Sequence, residues 1–186
     1  MTTNRPAQFA GIALAFLLPW SGAARTPQEY KAKHGIRVVI LPVGKLSGHE
    51  NAESRIEFYS AQNQMLCAVD YSSEDGEQGF GVVKAAWTPD EKYFVFSLTS
   101  SGGHQSWHAP TLFYVLRDHS IHSIDSYIEA KVSKSVFTLK DPNIVITEVW
   151  RDQQPAPIKL RLDSLSRRKS RSTLQCTDGK TIKAEP

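Results

Sequence analysis

Two runs of the chain, residues 92–98 and 111–116, carry apolar side chains on both faces of an extended strand. The first holds Tyr93-Phe94-Val95-Phe96 and the second Leu112-Phe113-Tyr114-Val115-Leu116. A strand at a sheet surface alternates apolar and polar residues, so strands apolar on both sides are either covered on both faces or central in their sheet. The core of a β fold is expected here. A chain of 186 residues with 40% hydrophobic side chains can supply the cover within a single domain.

Elsewhere the hydrophobic period is two. Residues 36–41 form a β-branched run ended by Pro42, residues 55–59 alternate Ile56 and Phe58 with polar neighbours, and Met65, Cys67, Val69 and Tyr71 share one face. The connection 60–63 suits a hairpin. Further runs lie at 80–86, 121–124, 136–139, 144–150 and 158–162, and Asp178-Gly179 signals a hairpin between 174–176 and 181–182. Residues 25–34 are polar and read as a loose arm or short helix, whereas 43–52, 72–79 and 164–172 read as loops. No helix-period segment extends beyond a turn or two. The expected fold is an all-β single domain of about nine to eleven short, mainly antiparallel strands, arranged as a sandwich, a barrel or a partial propeller-like sheet array.

The N-terminus has a different character. Arg5 precedes an apolar run from Phe9 to Trp20, and Ser21-Gly22-Ala23-Ala24 follows, the charged, apolar and small-residue zones of a secretory signal peptide. The run is short for a bilayer span, and no cysteine follows it for lipid attachment. Residues 1–24 are therefore expected to be a signal peptide and 25–186 the domain, in a periplasmic or secreted protein without a membrane span after cleavage. Export bears on Cys67 and Cys176, the only two cysteines, which are expected to pair as a disulfide. The net charge of +3 loses one unit with Arg5, so no global field recruits nucleic acid or an acidic membrane, and partners have to be sought in local features. The basic run Arg167-Arg168-Lys169-Ser170-Arg171 reads as a solvated loop that can touch an anionic envelope surface.

The run Trp87-Thr88-Pro89-Asp90-Glu91-Lys92, continued by Tyr93-Phe94-Val95-Phe96, resembles the repeat of TolB-type β-propellers, in which a tryptophan, a small hydroxyl residue and Pro-Asp-Gly-Lys open a blade. The resemblance covers about ten residues, and Glu91 stands where the repeat has glycine. It implies a blade-like sheet and an interaction scaffold, and it transfers no catalytic residue. A closed propeller needs at least four blades of about forty residues, more than this chain can supply.

Chemistry-bearing residues concentrate in the loop 100–110, where Ser101, His104, Gln105, Trp107 and His108 lie among glycines and a proline. Eleven residues are long for a hairpin connection, and long loops in compact domains tend to carry function. An exposed tryptophan beside His and Gln donors suits a sugar ring or an apolar peptide side chain. If Trp107 anchors the loop from beneath, His104 and His108 are left to face a ligand. The same histidines, with a third ligand from His49, His119, His122 or Asp125, are the candidates for a metal. No Gly-x-Ser-x-Gly elbow or Cys-x-x-Cys pair is present. These observations lead to the expectation of a noncatalytic domain that binds a protein or small ligand, envelope-associated in one form, through His104, Trp107, His108, Ser101 and Gln105. No cofactor is implied. The alternative is a metal-assisted hydrolase using His104 and His108.

Overall fold

The computed structural model describes residues 26–43, 52–168 and 173–184. The signal-peptide expectation and His49 lie outside these residues. Among the described residues thirteen strands form three sheets, none closed into a barrel. The first outer sheet has the order β1 (Gln28–Lys31), β2 (Arg37–Val43), β3 (Glu53–Tyr59), β4 (Met65–Asp70), β13 (Lys180–Lys183). The central sheet runs β12 (Thr173–Gln175), β8 (Ser120–Ser123), β7 (Thr111–Val115), β6 (Tyr93–Ser100), β5 (Phe80–Trp87). The second outer sheet is β11 (Gln154–Arg161), β10 (Ile144–Arg151), β9 (Thr138–Lys140). All pairs are antiparallel except β13 with β4. Two one-turn helices, α1 (Asp125–Ile128) and α2 (Leu162–Leu165), complete the described fold.

The doubly apolar strands sit where their composition requires. β6 and β7 are neighbours in the central sheet, and their alternate side chains feed two cores. Phe94, Phe96, Leu98, Leu112 and Tyr114 pack with Val38, Ile56, Phe58 and Val69 of the first outer sheet. Tyr93, Val95, Phe113 and Val115 pack with Val132, Phe137, Val145 and Val149 on the other side. The molecule is thus a three-layered β-sandwich.

Two local expectations are corrected. The arm at 25–34 contains β1, because Tyr30 packs edge-on against Phe94 with ring centroids 5.2 Å apart and so holds residues 28–31 beside β2. The Asp178-Gly179 turn has the positive φ values of a tight hairpin, 66° and 64°, yet the strands it joins do not pair with each other. β12 adds to β8, and β13 adds to β4 in a different sheet. Between them Cys176 bonds Cys67 of β4, with Cα atoms 5.0 Å apart. The bridge closes a loop with a sequence separation of 109. In the chain-entropy account a loop of this size stabilises the fold by up to about 4.7 kcal/mol. A buried disulfide, and the lack of any helix long and apolar enough to cross a membrane among the described residues, are compatible with export.

The turn at 88–92 joins β5 to β6 as its residue types suggest. Thr88 Oγ1 donates to Asp90 Oδ1 at 2.7 Å, and Glu91 N donates to Thr88 O at 2.8 Å. Glu91 adopts φ 54°, the left-handed region that glycine occupies at least cost.

Candidate functional site

One buried carboxylate organises the end of the sandwich where the loop 100–110 begins. Glu53, 2% exposed at the start of β3, accepts four hydrogen bonds. Ser73 N and Ser73 Oγ donate at 2.7 and 2.6 Å, Gly79 N at 2.7 Å and Ser101 Oγ at 2.9 Å. The acid therefore ties the loop 72–79 and the loop after β6 to one strand. Backbone shape follows from this closeness. A Cβ on Gly79 would lie 2.3 Å from Glu53 Oε1, and one on Gly102 would lie 2.2 Å from Glu77 O and 2.8 Å from the His104 ring. Neither approach is open to a residue with a side chain.

The two loops and the end of β13 enclose a cleft of about 850 Å³. Tyr71, Phe80 and Ala184, members or neighbours of the first core, contribute its apolar lining. Ser72, Glu74, Gln78, His104, Gln105 and Lys183 contribute polar groups. Lys183 Nζ donates to Ser72 Oγ at 3.0 Å and pairs with Asp70 at 3.5 Å. Burial pushes the Asp70 carboxyl up, but hydrogen bonds from the backbone and hydroxyl of Ser72, with the Lys183 ammonium beside it, hold it below the usual range. Asp75 is likewise held low, first by the Glu77 N–H and then by the Ser73 hydroxyl. Tyr71 is buried, its hydroxyl has no hydrogen-bond partner among the described residues, and desolvation raises its pKa.

The far half of the loop faces elsewhere. His108 is buried, with Nε2 2.5 Å from Asp125 Oδ2 and Nδ1 3.3 Å from Gln105 Oε1. Asp125 also accepts from Val132 N at 3.0 Å, and Ala109 N donates to Val132 O at 2.8 Å, so this end is fastened to the segment 131–133, which bonds Glu148 and Trp150 alongside β10. Trp107 stacks on His108, centroids 5.5 Å apart and 25° between planes, and remains 50% exposed. Its carbonyl accepts a hydrogen bond from Trp150 Nε1. Of the two arrangements expected for the loop, the structure has the tryptophan outside, and a histidine lies beneath it.

A second polar chain runs behind the central sheet. Ser120 Oγ donates to Asp118 Oδ1 at 2.5 Å and meets His122 Nε2 at 2.7 Å, while Tyr127 OH lies 2.7 Å from His122 Nδ1. A nucleophilic triad needs the acid on the histidine, whereas here it binds the serine, and both Ser120 and His122 are buried. Desolvation lowers the His122 pKa, with the Asp118 charge opposing. This chain is a structural network.

The loop residues singled out by sequence thus divide. His104 and Gln105 line the cleft, Ser101 is a buried tether, His108 is a buried pin, and Trp107 faces solvent on the other side. Among the described residues no group of three or more His, Cys, Asp or Glu side chains is placed to hold a metal ion. His119 bonds Tyr114 OH at 2.5 Å instead. Sequence reasoning missed Glu53, Ser73 and Lys183, which are separated along the chain and show no local pattern. The one available signal is the glycine at each end of the clamp, Gly79 and Gly102. Compared with models of protein families, with curated proteins and with solved structures, the chain finds no match.

Proposed function

We propose that the chain is an exported, periplasmic or secreted, noncatalytic domain that binds a small ligand in the cleft between the loops 72–79 and 100–105. The observation that carries the reading is the clamp on Glu53, which fixes both loops before any ligand arrives, since preorganised walls reduce the ordering cost of binding. A fitting ligand lays an apolar part against Ala184, beside Phe80, and offers hydrogen-bonding groups to Ser72, His104 and Gln105. Binding rather than turnover is favoured because the histidine that meets a carboxylate, His108, is buried, while the histidine lining the cleft, His104, has no carboxylate partner among the described residues.

The test is a fragment screen of neutral sugars, amino acids and small amines against isotope-labelled protein, read by amide chemical shifts. Binders should perturb residues 72–79, 102–105 and 183–184 together, and His104→Ala with Gln78→Ala should abolish the effect in a protein that remains folded. Binders that map elsewhere, or keep their affinity in the double variant, would overturn the proposal.

A further inference from the structure

The two large hydrophobic side chains exposed among the described residues, Trp107 at 50% and Val136 at 60%, both border the second outer sheet. The sheet itself turns apolar residues outward. Val145 and Val149 of β10 point to the core, so Ile144, Ile146, Glu148 and Trp150 lie on the open face. The register puts Lys140 and Thr138 of β9, and Pro155, Pro157, Lys159 and Arg161 of β11, on that same face. Trp107 extends the face at one end through its bond to Trp150. Arg161 is paired with Asp163 and Glu148 with Lys134, which leaves Lys140 and Lys159 as exposed cations without a carboxylate partner among the described residues.

We infer that this face seats on an anionic lipid surface. Indoles at the margin of an apolar patch, with lysines around it, match the layering of a membrane interface. Protein partners fit less well. Three strands, the longest of eight residues, cover roughly 26 by 14 Å, about half of the ~800 Å² per side that a stable protein interface buries. A second copy would also bring unpaired lysines towards one another. Strand addition at β11 is hindered because Pro155 and Pro157 offer no N–H. The inference is independent of the cleft, which lies at the end of the other sandwich interface.

The experiment is co-sedimentation of the full chain with vesicles of phosphatidylglycerol mixed with phosphatidylcholine, and with phosphatidylcholine alone. Binding is expected only to the anionic vesicles, and should weaken as salt is raised to about 0.5 M. The Lys140→Glu, Lys159→Glu double variant should bind about thirtyfold more weakly or worse. Both proteins carry the same apolar N-terminal run, so the difference between them reports the face. Trp107→Ser should reduce fluorescence quenching by brominated lipid, and His104→Ala should bind vesicles as the parent does. No sedimentation with anionic vesicles would overturn the inference, as would undiminished binding of the folded lysine variant. A dimer that the lysine changes abolish would assign the face to a second copy instead.

Discussion

Replacing Glu53 by Gln removes one charge and turns one acceptor into a donor, with almost no change in volume. All four groups that meet the native carboxylate are donors. The least costly orientation of the amide places its oxygen where Oε1 accepts from Ser73 Oγ, Gly79 N and Ser101 Oγ, and its nitrogen against Ser73 N. Hydrogen bonds to a charged group stabilise by about 1.5–3 kcal/mol and neutral ones by about 0.5–1.5, so three weakened bonds cost about 3 kcal/mol. The opposed Ser73 N–H adds about 1–3 kcal/mol as a part-buried donor without an acceptor. Relief comes from the hydroxyls: Ser101 Oγ already reaches Gly79 O at 3.1 Å and Ser73 Oγ reaches Asp75 at 2.8 Å. Crediting each alternative with about 1 kcal/mol leaves a net destabilisation of about 3 kcal/mol. In a domain of this size that lowers Tm by about 6–12 °C. Urea unfolding and calorimetry measure the loss, and hydrogen exchange of the Ser73 and Gly79 amides locates it. A change below about 0.5 kcal/mol, the range of an ordinary surface substitution, would refute the view that Glu53 holds the two loops.

Three other perturbations follow from the same geometry. Gly102→Ala forces a Cβ to within 2.2 Å of Glu77 O, so thermal unfolding should show about 1–3 kcal/mol of destabilisation and fragment affinity at the cleft should fall. His108→Ala strips Asp125 of its buried partner and should cost about 2–3 kcal/mol, whereas Trp107→Ala, at an exposed position, should cost less than about 1 kcal/mol in the same urea titration. His122 has a folded pKa depressed below its ordinary 6.5, so its contribution to stability is present above that value and is lost as pH falls from 6.5 towards the folded pKa. The urea midpoint should decline across that window, and His122→Gln, which does not titrate, should flatten the decline.

The place of the core was legible because it rests on a property of single strands. Tyr93-Phe94-Val95-Phe96 is apolar on both sides, and no sheet with a wet face accommodates that. The disulfide was legible from two cysteines in a chain expected to be exported, together with the inward face that Cys67 shares with Val69. The turns at 60–63 and 88–92 follow local chemistry in the same way, and Ser60 N donates to Gln64 O at 2.8 Å as a hairpin requires. Partner choice was not legible. Asp178-Gly179 encodes a tight reversal, but the open edges of β8 and β4 decide where the two flanking strands go. The clamp is hidden for a related reason. Glu53 meets Ser73, Gly79 and Ser101 across separations of 20, 26 and 48 residues, and a glutamate beside a polar loop gives no sign of being buried. The position of His108 depends likewise on Asp125, 17 residues away.

The ligand site proposed in the cleft is tested most directly by a crystal structure of the protein soaked with the tightest fragment from the amide-shift screen. Fragment density is expected against Ala184, beside Phe80, with polar contacts to Ser72, His104 or Gln105, and with the Glu53 clamp unchanged from the free protein. Density confined to another surface, with the cleft empty at saturating fragment, would contradict it.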